Sequence, residues 1–165
     1  MRSERFLYLN RIFDLDFDPE NAGKIYLEYL SLEGHLNEDA LYVCKKLHLL
    51  NIKIGIITNG AEVVQRPRLL QSSLNNYIDF LITSEEAGLP KPHAKIFEMC
   101  LERAKINEKK HICIVGDSLN SDIKGGNLFG ITTCWYNPFR VRPEFTEDTT
   151  PHFIINNLKE ILGRI

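Results

Sequence analysis

Three polar clusters, each placed directly after an apolar run, carry the reactive side chains of this chain. Thr58-Asn59-Gly60 follows residues 52–57, Lys91-Pro92 follows residues 81–90, and Gly116-Asp117, with Asp122 five residues on, follows residues 112–115. A hydroxyl and backbone amides donate hydrogen bonds, an ammonium offsets negative charge, and paired carboxylates hold a hard cation. Together these groups can hold a phosphoryl group beside a divalent cation. Each cluster also has a plainer reading. Asn-Gly favours turns, a lysine before proline suits an exposed turn, and two aspartates can cap and decorate a helix start. The common position of the clusters, each at the exit of a short apolar run, favours the chemical reading.

The elements that must position these residues alternate from about residue 36 onward. Short apolar, β-branched runs at 52–57, 77–83, 111–115, 131–136 and 153–155 predict strands. Between them lie segments with helical periodicity at 40–50, 61–74, 94–104 and 121–129, and a last helix follows 155. Pro67 should bend its helix or mark its first turn. Asn37-Glu38-Asp39 is the expected start of the 40–50 helix. Nearly continuous apolar strands alternating with amphipathic helices predict an α/β fold: a Rossmann-like parallel sheet with helices on both faces. Such sheets bind ligands beyond the carboxyl ends of their strands, where every cluster falls. Residues 1–35 read differently, as two helices joined by residues 14–18. Phe6, Leu9 and Phe13 share one face of the first; Asp18-Pro19-Glu20 starts the second.

The stretches Ile-Gly-Ile-Ile-Thr-Asn-Gly (54–60), Lys-Pro-His-Ala-Lys-Ile-Phe (91–97) and Val-Gly-Asp-Ser-Leu-Asn-Ser-Asp-Ile-Lys-Gly-Gly (115–126) resemble motifs II, III and IV of the haloacid dehalogenase-like hydrolases. The likeness is to the helical-cap branch that includes 5′-nucleotidase-like phosphatases. It implies residues 36–165 as the α/β core and 1–35 as part of a helical cap. It also implies Mg²⁺-dependent hydrolysis of a small phosphomonoester, a nucleotide monophosphate or similar, through a covalent aspartyl-phosphate. Under it, Thr58 and Lys91 are catalytic. Thr58, Asn59, Gly60 and Lys91 bind the phosphoryl group, and Asp117 and Asp122 bind the metal.

The family's motif I is a buried strand ending in Asp-x-Asp, whose first aspartate is the nucleophile. The only stretch of this kind is Asp14-Leu15-Asp16, and Asn10, Arg11 and the helix start at Asp18-Pro19 argue against a strand there. Asp14 and Asp16 are therefore weak candidates, and the core is expected to lack the strand between the 52–57 and 111–115 strands. That loss leaves two apolar edges to be covered by a complementing N-terminal segment or by a homo-oligomer. The alternative function is a truncated, non-catalytic remnant that binds phosphate or a protein partner. A phosphoacceptor receiver domain shares the layout but needs its aspartate ahead of the Thr and Lys, not after them.

Composition bounds the rest. With 165 residues, 25% charged and formal net charge −2, nothing points to a nucleic acid polymer or a membrane surface. The start, Met-Arg-Ser-Glu-Arg-Phe, lacks the apolar core of a signal peptide. Cys44, Cys100, Cys113 and Cys134 have no paired spacing, so a reduced, cytoplasmic setting is expected. The expected partner is a small phosphorylated metabolite. His93 is expected to start a helix, His35, His48, His111 and His152 to be structural or surface residues, and Arg66 and Arg68 to be solvated.

Overall fold

The computed structural model describes residues 4–164. The charged start at Met1–Ser3 and the last residue, Ile165, lie outside the described residues. The first two helices are α1 (Glu4–Phe13) and α2 (Pro19–Leu32). Asp18 caps α2 through both carboxylate oxygens, which accept from the amides of Glu20 and Asn21, as the Asp-Pro-Glu sequence predicts. α2 packs along α4 (Glu62–Gln71). Arg68, expected to be solvated, donates instead to the Glu33 carbonyl beyond the end of α2. Arg66 pairs with Glu62 one turn away.

The α/β part follows the predicted order with shorter strands: β1 (Gly55–Thr58), β2 (Phe80–Thr83), β3 (Cys113–Gly116), β4 (Thr132–Tyr136) and β5 (Phe153–Ile155). Local turns trim them. Asn51 takes φ +58° and the Ile52 amide returns to the Leu47 carbonyl, so the chain is not yet extended at 52. A 3₁₀ turn at Asn75–Tyr77 delays β2 in the same way. Helices α3 (Ala40–Leu49), α6 (Ala94–Ala104) and α7 (Lys124–Phe129) lie close to their expected spans, and a short α5 (Ser84–Ala87) follows β2. The helical stretch 121–129 opens differently, as a π-turn over Leu119–Ile123. The last element is a 3₁₀ helix, Leu158–Gly163. Pro67 lies inside α4, whose end is closed by the Ser72 amide on the Leu69 carbonyl.

The expected start at Asn37-Glu38-Asp39 holds, with α3 beginning at Ala40, but Asp39 adopts φ +64° and makes no capping bond. Its carboxylate instead holds Lys159 at 2.8 Å and Asn157 at 3.3 Å, tying α3 to the last 3₁₀ helix. The Lys159 hydrogen bond holds this carboxyl below its ordinary range.

The strands are parallel, but they form two sheets. β1 pairs with β2, and β3 pairs with β4, which pairs with β5. Among the described residues no strand pairs β1 with β3. Helices join the two sheets on both faces. On one face α6 packs on β1 and β2, α7 packs on β4, and α6 meets α7. Ile82 of β2 and Ile114 of β3 belong to one buried cluster with Ile96, Phe97 and Phe129. On the other face α3 reaches the 3₁₀ turn before β2 and the 3₁₀ helix after β5. Val43 of α3 is buried there with Cys134, Ile155 and Ile161.

Cys134 has no exposed surface, and burial pushes its thiol up to about 12 from an ordinary 9.0. Below pH 9 the thiol is neutral in both folded and unfolded chains, so stability does not depend on it. Above pH 9 the unfolded thiol ionises and the folded one does not. Stability then falls by at most about 1.4 kcal/mol per pH unit from this group until pH nears its folded value. Denaturant melts from pH 8 to 11 should show a shallower decline in Cys134→Ala than in the parent. Equal slopes would mean that the thiol is solvated.

Candidate active site

The Lys91 side chain lies at the centre of the predicted site and is 11% exposed. Its ammonium donates to the Ile57 carbonyl at 2.7 Å and to Asp122 Oδ1 at 2.7 Å. One cation thus ties the exit of β1 to the turn that follows β3. Asn59 fixes the lysine backbone from the same side. Its Oδ1 accepts from the Lys91 amide at 2.7 Å, and its Nδ2 donates to the Lys91 carbonyl at 3.0 Å. The bond from Lys91 to Pro92 is cis. His93 starts α6 by accepting from the Lys95 amide through Nδ1, as expected.

The residues after β3 approach the lysine because two glycines permit it. A Cβ on Gly116 would fall 2.3 Å from Asp122 Oδ2. One on Gly125 would meet the Phe97 ring at 2.7 Å and the Pro92 backbone at 3.1 Å. The π-turn then carries Asp122 inward. Its side chain is 7% exposed, with Oδ2 accepting from the Ser118 amide at 3.1 Å. π-Turns inside helices often mark places where a side chain is re-aimed for use. Asp117 is exposed, and no hydrogen bond or ion pair engages its carboxylate among the described residues. Its own carbonyl accepts from Trp135 Nε1 at 2.9 Å, which pins the loop to β4. Trp135 therefore both packs, at 5% exposure, and orients this loop.

Thr58 ends β1, between the two residues that bind Lys91. The Gly60 amide donates to Thr58 Oγ1 at 3.0 Å, which leaves the hydroxyl proton to be donated elsewhere. The same bond occupies the Gly60 amide, which the resemblance would aim at the phosphoryl group. Asn59 acts here as a clamp on Lys91. Asp14 and Asp16 are elsewhere. Asp14 follows a helix rather than a strand, with φ +49°, and Asp16 lies in the exposed turn before α2. This placement corrects any reading of 12–16 as a strand.

Lys91, Asp117 and Asp122 line one cavity of about 310 Å³, whose walls are the facing edges of β1 and β3. None of the five histidines lines it. The sequence gives no signal for two of its features. A backbone acceptor such as the Ile57 carbonyl has no residue signature, and the Trp135 contact with the Asp117 carbonyl joins residues that only the fold brings together.

A lysine, a hydroxyl and two aspartates at the carboxyl ends of parallel strands define a class, and comparison with known proteins agrees. The model of the haloacid dehalogenase-like hydrolases matches residues 6–130, and the chain belongs to that family. It is 41% identical over 111 residues to pyrimidine 5′-nucleotidase YjjG of Escherichia coli (strain K12), covering 67% of this chain and 48% of that protein. It is 32% identical over 134 residues to a glyceraldehyde 3-phosphate phosphatase of Pyrococcus abyssi (strain GE5 / Orsay), covering 79% of this chain and 56% of that one. The crystal structure of YfnB from Bacillus subtilis, bound to magnesium, superposes with a TM-score of 0.86 at 29% identity, over 99% of this chain and 70% of that one. The chain spans about half the length of the curated relatives first named here.

Proposed function

We propose that this chain carries the phosphate- and cation-binding part of a Mg²⁺-dependent hydrolase of small phosphomonoesters, with a nucleotide monophosphate as the first substrate class to try. The single observation behind this reading is the Lys91 ammonium, held between the exit of β1 and Asp122 with Asp117 beside it in one cavity. The relatives named for pyrimidine nucleotides and for a triose phosphate fit the same substrate class. In this reading Thr58 donates its hydroxyl proton to a phosphoryl oxygen, and Lys91 offsets charge that builds up there. Residues 4–35 act as part of a helical cap over the 36–164 core.

The donor set suits magnesium, which takes one or two carboxylates and completes its shell with water and substrate oxygens. Asp117 is exposed and unengaged among the described residues, and would hold the ion directly. Asp122 has Oδ1 on Lys91 and Oδ2 on Ser118, so it would act through a water or by orienting its neighbours. The ion would supply charge compensation at the phosphoryl oxygens. Among the described residues no group of three or more His, Cys, Asp or Glu side chains forms a denser site.

A second reading, a binding-only remnant, has its own observation: no described strand ahead of Thr58 ends in a carboxylate. Release of p-nitrophenolate from p-nitrophenyl phosphate separates the two. Turnover that requires Mg²⁺ establishes the hydrolase, and its survival or loss in Asp14→Asn shows whether Asp14 takes part. Folded protein that binds Mg²⁺ and orthophosphate without turnover establishes the remnant. Protein that binds neither ion contradicts both readings.

A further inference from the structure

The loop after β4 stands at the same rim of the sheet as the phosphate site. β3 and β4 pair with Gly116 beside Trp135, so the chain leaves β4 next to Asp117. One cavity has both Asp117 and Phe139 in its wall, together with Trp135, Pro138 and Val141. β4 ends at Tyr136, and Phe139 lies three residues further on, at most about 10 Å of extended chain. That is the order of the span from phosphate to base in a nucleotide.

The bonds of this loop fix its shape. Asn137 is 6% exposed and clasps Val141 with both ends of its side-chain amide. Nδ2 donates to the Val141 carbonyl and Oδ1 accepts from the Val141 amide, each at 2.9 Å. The Asn137 backbone is held as well. Its amide donates to the Ile155 carbonyl at 2.8 Å, and its carbonyl accepts from Asn156 Nδ2 at 2.7 Å. That carbonyl also accepts from the Arg140 amide at 3.1 Å, which closes a turn over Pro138 and Phe139. Proline at the second position of a turn presets its φ. Arg140 is held at φ +52°, a conformation that residues other than glycine keep only where the surroundings impose it, and such positions gather at functional sites.

This frame presents an apolar ring. Phe139 is 88% exposed, the most exposed of the large apolar side chains among the described residues. Trp135 is the contrast in the same wall. It is buried, Phe145 stands edge-on against it at 5.8 Å, and its Nε1 is committed to the Asp117 carbonyl. The fold uses Trp135 and leaves the Phe139 ring to solvent. An aromatic ring on a rigid loop gives up little freedom on binding, and a second planar ring stacks well on its face.

We propose that Phe139 is a specificity residue: it stacks on the base of a nucleoside 5′-monophosphate whose phosphate lies at Lys91 and Asp117. The inference rests on the phosphate reading and adds to it the side chain that favours esters carrying an aromatic ring over aliphatic ones. Asn137 is the positioning residue, because its amide sets the turn that carries the ring.

The probes are uridine 5′-monophosphate and ribose 5-phosphate, which share phosphate and sugar and differ in the base. Trp135 is the single tryptophan of the chain and lines the cavity, so its fluorescence reports occupancy. Titrations of the intact chain in Mg²⁺ should show the nucleotide bound more tightly than the sugar phosphate; with turnover, the same contrast is read in kcat/KM. Phe139→Ala should weaken the nucleotide by about 5- to 100-fold, the usual worth of one base stacked on an aromatic side chain, and leave ribose 5-phosphate unchanged. Phe139→Tyr should keep the nucleotide's affinity. At 88% exposure the ring carries little of the fold, so both variants stay folded. Equal affinity of the parent for the two probes, or a loss in Phe139→Ala that is the same for both, overturns the inference and leaves the phosphate reading standing. Binding of neither probe removes both. A dimer that Phe139→Ala dissolves, with probe affinities unchanged, assigns the ring to a second copy and overturns the inference too.

Discussion

Lys91→Met is expected to lower stability by about 3–5 kcal/mol, the usual cost of removing one partner of a buried ion pair. For a chain of this size that is a fall of about 6–20 °C in melting temperature. The loss has two parts. Among the described residues Asp122, at 7% exposure, keeps only the Ser118 amide as a partner for its charge, and the Ile57 carbonyl loses its donor. Burying a charge without a partner costs far more than a well-paired ion contributes. The second substitution in Lys91→Met/Asp122→Asn should therefore restore much of the lost stability, because a neutral amide no longer needs the cation. Urea melts of the two single variants and the double variant give the coupling directly. A single variant as stable as the parent would show that the ammonium is solvated and joins nothing.

Asp117→Asn is expected to do the opposite. Its carboxylate is exposed and has no partner among the described residues, so stability should change by no more than about 0.5 kcal/mol. Binding of a phosphate analogue in the presence of Mg²⁺ should weaken by at least about 10–100-fold, the range seen even for residues one step removed from a metal. The contrast between the two variants separates the roles. In the proposed reading Lys91 holds the architecture together and would present charge to the anion, whereas Asp117 would take the cation at the mouth of the cavity. If Asp117→Asn loses stability and keeps its affinity, those roles are wrongly assigned.

Much of this site was legible because its chemistry is carried by side chains at strand exits. Thr58, Lys91, Asp117 and Asp122 stand out as polar residues after apolar runs, and the fold brings three of them to one cavity and places Thr58 between the two residues that bind Lys91. Strand existence was legible for the same reason, in the β-branched runs. Strand limits were not, because Asn51 and the Asn75–Tyr77 turn act through backbone geometry that apolar content does not encode. Asp39 shows another limit. Its sequence neighbours favour a cap, but Lys159 and Asn157, more than a hundred residues away, compete for the same carboxylate. The gap between β1 and β3 has no signal in the β1 or β3 residues themselves and was anticipated only from the weakness of Asp14-Leu15-Asp16 as a motif I strand. What holds its sides in place, the α6–α7 cluster on one face and α3 on the other, is a matter of tertiary packing.

No described helix is long and apolar enough to cross a membrane. The bonds at Lys91 make a compact polar junction between the carboxyl ends of the two sheets, the kind of place where parallel α/β proteins bind their ligands. Orthovanadate, which mimics a phosphoryl group in flight, probes that junction without requiring turnover. Calorimetric titration of the intact chain with orthovanadate should show binding at one site in Mg²⁺ and a marked weakening in EDTA. Heat of binding that is absent, or indifferent to the metal, would contradict a shared home for anion and cation at the Thr58, Lys91 and Asp117 side chains.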